Sequence, residues 1–193
     1  MSENPRRESP ARRRILDTAT ALFYAEGVHA VGIDRIIAQA GVAKATFYNQ
    51  FPSKEDLVLA YVHELDERGR AEVEALPEQP PRQMLLTFFQ RIDAAARQPG
   101  YRGCPFLNAA AEYPDPTSPV RLAIDDHRRW THDHLRGLLA ADGHADPDDA
   151  AEILIALNDG LLVASHLDHP AGLPDLIHQA VTRIIEPAVE TSI

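Results

Sequence analysis

Wherever apolar residues gather in this chain they recur three and four positions apart, and glycine or proline punctuates each run. That spacing buries one stripe of a helix, whereas alternation would bury one face of a strand. Ile15, Leu16, Ala19, Leu22 and Phe23 open the series behind Ser9-Pro10, a cap and first-turn proline, and Gly27 stops it. Two short segments follow, Asp34 to Ala40 and about Ala43 to Gln50, ended by Gly41 and Pro52. Ser53-Lys54-Glu55-Asp56 resembles a capping box and begins a long helix with Leu57, Val58, Tyr61, Val62 and Leu65 on one face. Beyond the breaker run Pro77 to Pro81, the chain reads as five more helices. They carry Leu85 to Ile92, Cys104 to about Tyr113, Pro119 to about Ala141, Ile153 to Leu167 and Leu173 to Ile185. The short apolar stretches VHAVGI and GLLVA fit turn or helix better than strand. The pattern predicts an all-α fold without internal repeats.

Charge divides the chain unevenly. The net charge of −10 on 193 residues argues, taken whole, against a nucleic-acid partner. Residues 1–54, however, carry +3 and the remainder −13. Such a split predicts a basic binding head on an acidic body. The single cysteine, Cys104, allows neither an internal disulfide nor a CxxC zinc site. No secretory pattern follows the N-terminal charges, and no apolar run approaches the ~18–20 residues of a membrane span. A cytoplasmic protein with no membrane partner is expected.

The stretch Ile33 to Tyr48 reads as a helix-turn-helix. Two short helices that cross steeply need a tight turn, and Gly41 supplies a left-handed residue at the end of the first. Val42 is placed to plug the angle and Ala38 to allow close approach. Ile36, Ile37, Phe47 and Phe51 are expected to form a small core with Leu16, Leu22 and Phe23. The second helix then presents Lys44, Ala45, Thr46, Tyr48 and Asn49. These suit a major groove: a small residue for approach, donors for base edges or phosphates, and a stiff hydroxyl arm. Arg35 and Lys54 add charge beside them, and Arg6, Arg7, Arg12, Arg13 and Arg14 form a basic arm. A helix-turn-helix used only for packing would leave this local positive charge unexplained.

Residues 12–60 resemble the DNA-binding domain of the TetR family of bacterial transcription regulators. The resemblance lies in Ile15-Leu16-Asp17-Thr18-Ala19, Leu22 to Gly27, Ala40 to Tyr48 and Phe51 to Leu57. Three residues depart from the family pattern. Gly32 stands where a threonine is usual, Ala43 where a serine is, and Gln50 where a histidine is. The resemblance implies a DNA-binding domain over 1–54 and a helical ligand-binding and dimerisation domain over 55–193. It implies a homodimer on a palindromic double-stranded operator, acting as a repressor released by a small-molecule effector. An activator, a redox or electrophile sensor acting through Cys104, and a helical enzyme are the alternatives.

Independent support from the second region is weaker. Its last two helices have broad apolar faces, and Ala156, Gly160 and Ala164 permit close helix approach. A four-helix interface between two copies is expected, with Leu154, Leu157, Leu161, Leu176, Ile177, Val181 and Ile184 in it. Candidate walls and polar contacts for an effector are Tyr61, Phe88, Phe89, Ile92, Cys104, Phe106, Asn108, Trp130 and His134. Cys104 at a helix start has the position of a reactive thiolate, although a buried apolar role is commoner. The histidines near Asp126 to His134, and the pair His166 and His169, lack the spacing of a metal site. No GxSxG, P-loop or Gly-rich dinucleotide turn occurs. No cofactor, no metal and no enzymatic activity are expected.

Overall fold

The computed structural model describes residues 9–168 and 170–186. Among them nine α-helices and no strand occur. They are α1 Pro10–Glu26, α2 Ile33–Ala40, α3 Lys44–Gln50, α4 Lys54–Glu74, α5 Pro81–Ala96, α6 Pro105–Glu112, α7 Pro119–Ala141, α8 Pro147–Leu167 and α9 Leu173–Ile185. The all-helical expectation holds.

Local chemistry sets the ends. Ser9 Oγ accepts from the Arg12 N–H at 3.1 Å, capping α1. Gly41 takes φ +62 after α2, and the Gly41 and Val42 amides return to Ala38 and Ile37 carbonyls, a glycine-stopped helix end. At α4 the Ser53 hydroxyl accepts from the Asp56 amide at 3.1 Å and donates to the Asp56 carboxylate at 2.7 Å. The return bond of a capping box therefore goes to the hydroxyl rather than to the Ser53 amide. Ser118 and Asp146 cap α7 and α8 by accepting from Arg121 and Asp149 amides.

Two compact units emerge from the packing. The first comprises residues up to Arg68 together with Pro105–Ile124; the second comprises Gly69–Cys104 and residues from Asp125 onward. In the first, α1, α2 and α3 pack mutually around Ile15, Phe23, Ile36, Phe47, Phe51 and Val58, all nearly inaccessible. Burying a side chain of this size stabilises by about 1.5–3 kcal/mol, which lets three short helices hold together. Ala38, expected at the helix crossing, faces solvent; Ile36 and Ala40, four apart, are the buried stripe of α2. In the second unit α5, α8 and α9 pack mutually around Leu85, Phe89, Leu135, Leu154, Ile177 and Val181.

One expectation needs correcting. Among the described residues α8 is, by length and composition, long and apolar enough to cross a membrane. Asn158 and Asp159 interrupt the run to the eye while the surrounding leucines and alanines hold the average up. Here one side of α8 is packed into the second unit's core by Ala151, Leu154 and Leu161.

Candidate functional site

The exposed face of α3 is set by how the helix is held. Phe47 points inward and is fully buried, and Phe51 follows it into the core. The opposite side of this helix presents Lys44, Ala45, Tyr48 and Asn49 to solvent, with Thr46 half-buried beside them. Tyr48 stands edge-on to Phe47 at 5.3 Å, which stiffens an arm whose residue is 41% exposed. The C-terminal end of α3 is clamped from α1. The Arg12 guanidinium donates to the Gln50 carbonyl at 3.1 Å and lies 4.3 Å over the Phe51 ring, and the Ser9 hydroxyl donates to Gln50 Oε1 at 2.9 Å. Arg12, expected in a DNA-reaching arm, thus orients α3. Gln50 is where α1 grips it.

The cations near this face are held by acids. Lys44 pairs with Asp34 at 3.2 Å, and Arg35 pairs with Glu26 through both guanidinium nitrogens, one at 2.7 Å. Arg13 bonds Asp17 at 2.6 Å and Glu64 at 2.9 Å; these bonds raise its pKa, and Arg13 in turn lowers that of Glu64. The Lys44–Asp34 and Arg35–Glu26 pairs are exposed, and such pairs contribute little in water. Arg14 is exposed. Arg6 and Arg7 lie outside the described residues. Lys54 turns toward its own chain: its Nζ is 3.4 Å from the His29 carbonyl, and burial lowers its pKa against the opposing pull of Glu112.

The proposed effector residues are scattered. Phe88, Phe89, Ile92, Cys104, Trp130 and His134 belong to the second unit; Tyr61, Phe106 and Asn108 belong to the first. Tyr61 is a core residue packed edge-on to Phe23 at 5.6 Å, and Asn108 is exposed. Cys104 is half-buried directly before α6. The structure does gather Phe88, Trp130 and His134. The Trp130 and His134 rings stack at 5.3 Å and 10°, Phe88 lies 6.1 Å from His134, and Arg70 sits 5.0 Å over Trp130. His134 Nε2 is buried and has no hydrogen-bond partner among the described residues. Burial, with Arg91 nearby, lowers the imidazole's pKa and keeps it neutral. Among the described residues no group of three or more His, Cys, Asp or Glu stands together as metal ligands; His169 lies outside them.

The expected interface residues are largely internal. Leu154, Leu161, Ile177 and Val181 are buried in the chain's own core and have no surface to offer. Leu157 and Ile184 are half-buried, and Leu176 is exposed. The apolar surface of α8 lies one register away: Ile153 (54% exposed), Ala156, Gly160, Val163 (48%) and Leu167 (68%). Their spacing of three and four is that of a helix seam against another helix.

Sequence reasoning missed Glu112. Its Oε1 accepts from the Val28 amide at 2.7 Å and its Oε2 from the His29 amide at 2.6 Å, inside the α1–α2 turn. Burial alone would raise its pKa; the two amide donors overcome that and lower it. The available signal was a carboxylate on the last residue of a short helix, where the helix's own partial charge is negative.

Comparison with known proteins agrees with this architecture. Residues 15–61 match the family description "Bacterial regulatory proteins, tetR family", and residues 81–181 match "Tetracyclin repressor-like, C-terminal domain". The crystal structure of SCO4454, a TetR-family transcriptional regulator from Streptomyces coelicolor, is 42% identical with a TM-score of 0.86, covering 91% of this chain and 94% of that one. A putative TetR-type regulator from Streptomyces avermitilis is 30% identical with a TM-score of 0.81, covering 92% and 97%. The HTH-type transcriptional regulator LmrA of Bacillus subtilis is 28% identical over 125 residues, 62% of this chain and 66% of LmrA.

Proposed function

The chain belongs to the TetR family of bacterial helix-turn-helix transcription regulators, and we propose that it is a homodimeric repressor released from a palindromic operator by a small, flat, largely apolar effector. The observation that carries the DNA-binding reading is the face of α3. Lys44, Ala45, Tyr48 and Asn49 are exposed together on a helix whose other side is locked by Phe47 and whose end is clamped by Ser9 and Arg12. In this reading Lys44 and Asn49 reach base edges, and Tyr48, Thr46, Arg13, Arg14 and Arg35 reach phosphates. Lys54 contributes field more than contact, because its ammonium faces His29.

Dimerisation supplies the second reading helix, about one DNA turn away at ~34 Å. The exposed α8 seam from Ile153 to Leu167, with Leu176 of α9, supports an interface between two copies. The stacked Trp130 and His134 with Phe88 support an effector site lined by rings. There the buried His134 Nε2 offers one directional bond to a hydroxyl or carbonyl. The effector acts only through different affinities for two settings of the protein. The family's cytoplasmic setting suits a protein that reads DNA.

Selection of duplexes from random DNA with the purified protein tests the reading. The selected site is expected to be palindromic, bound with strong salt dependence. Lys44→Ala is expected to weaken it by about 1–3 kcal/mol with a salt slope reduced by about one. Recovery of no preferred duplex would overturn the reading. Trp130, the chain's single tryptophan, reports the effector site: 1-naphthol is expected to change its fluorescence saturably, and His134→Phe to weaken that response.

A further inference from the structure

We propose that Glu112 is a positioning residue: its carboxylate latches the α1–α2 turn of the DNA-reading head to the end of α6, so that the turn and α6 respond to bound DNA together. The proposal rests on the DNA-binding reading above and adds the residue that ties α6 to the turn before α2.

The latch is built from both sides. Glu112 is the last residue of α6, where the helix's exposed carbonyls disfavour a carboxylate. Its position makes sense through what it touches, the two successive amides of Val28 and His29 at 2.7 and 2.6 Å. Amides in a turn need partners, and a charged acceptor forms the stronger kind of bond with them. Gly27, at φ +94, completes the fit: a Cβ there would stand 3.0 Å from Glu112 Oε1. The neighbouring groups close around the same turn. His29 Nδ1 is 3.0 Å from Glu112 Oε2, the His29 ring stacks on Tyr113 at 5.5 Å and 22°, and Lys54 Nζ approaches the His29 carbonyl. Residues 112 and 113 therefore hold the turn by its backbone and by its one projecting ring.

From His29 the chain reaches the start of α2 in four residues, and α2 turns through Gly41 into α3. A helix of eight residues is about 12 Å long and does not flex. Its end grips the turn before the reading helices, so that turn and α6 are held together within one compact unit.

The test uses the full-length protein and the duplex chosen by selection, present at saturation so that affinity differences drop out. Linkage requires that, if α6 is coupled to the head, bound DNA must act back on α6. Hydrogen exchange of residues 105–112 is expected to slow about fivefold on duplex binding in the wild type. In Glu112→Gln and Glu112→Ala the slowing is expected to fall to less than half while the duplex stays bound. Should Glu112→Ala melt below the assay temperature, Glu112→Gln decides, because its amide keeps the shape and one acceptor oxygen. A merely stabilising Glu112 would lower the melting temperature and leave the DNA-induced slowing of α6 intact; that result overturns the latch. A wild-type protein that binds duplex without any change in α6 overturns it as well. Failure of the DNA-binding reading itself is distinguishable, since then no duplex is selected.

Discussion

The head around α3 and the bundle around α8 use the same device, an amphipathic helix, with opposite legibility. In α3, seven residues long, one phenylalanine is buried and the rest, polar except for the small Ala45, lies outward or half-buried, so residue type assigns each side. In α8, 21 residues long, both sides are apolar. Leu154 and Leu161 face the chain's core, while Ile153, Val163 and Leu167 face solvent. A helix whose two faces share one chemistry can belong to a core or to a partner, and only packing decides which. Polar contrast carries information that apolar symmetry withholds.

The sharpest way to break this comparison is to empty each side in turn. Phe47→Ala should cost about 3–5 kcal/mol in chemical denaturation and abolish duplex binding, because the reading face loses its anchor. Leu154→Ala should cost about 2–5 kcal/mol yet leave the protein dimeric. On the other face of α8, Val163→Glu with Leu167→Glu should give a monomer in sedimentation at micromolar concentration, because each copy then places two carboxylates where the copies would meet. A dimer surviving that pair would mean that the α8 seam is not the interface.

Helix caps come next in size. Ala43 occupies the N-cap of α3 with extended backbone and no side-chain bond, so Ala43→Ser should stabilise by about 1 kcal/mol. Gly32 caps α2 in the same way, with open space where a Cβ would go. Gly32→Thr should add a few tenths of a kcal/mol. Thermal melting measures both. An absent gain at Ala43 would show that α3 is set by its C-terminal clamp alone.

Acid should separate the two regions by pH. His134 has a folded pKa below its ordinary value, chiefly through burial. The unfolded chain then takes up the proton first, and stability should decline as pH falls below about 6.5. Glu64, lowered chiefly by Arg13, and Glu112, lowered by amide donors against the cost of burial, behave at lower pH. Their contribution is present above about pH 4.3 and is lost as pH falls through their lowered folded values. Urea midpoints against pH should therefore show a first decline that His134→Phe removes and a second that Glu112→Gln flattens. A single decline near pH 4 would sink the buried-imidazole reading.

The helix ends are legible in the sequence because each is set by a local bond. Ser9, Gly41, Ser118 and Asp146 act on residues three or four away, and a spacing of three or four is visible in a linear string. The reading face was legible for the same reason, as Phe47 and its exposed neighbours sit on one turn of helix. Arg12 reads as part of a basic arm because its partner, the Gln50 carbonyl, is 38 residues away. Tyr61 was read as an effector wall because an aromatic on a helix face does not reveal that Phe23 covers it.

By itself, then, the amino-acid sequence determined the all-α class, the helix-turn-helix, its family and the side of α3 that reads outward, since periodicity, caps and polar contrast act over one or two turns. Tertiary structure alone decided which leucines of α8 are core and which are surface, that the basic arm's Arg12 is a clamp, and that Glu112 reaches 84 residues back to the Val28 amide. Those outcomes depend on which distant surfaces meet. The residue types involved, a leucine, an arginine and a glutamate, suit either outcome equally well until the chain has closed.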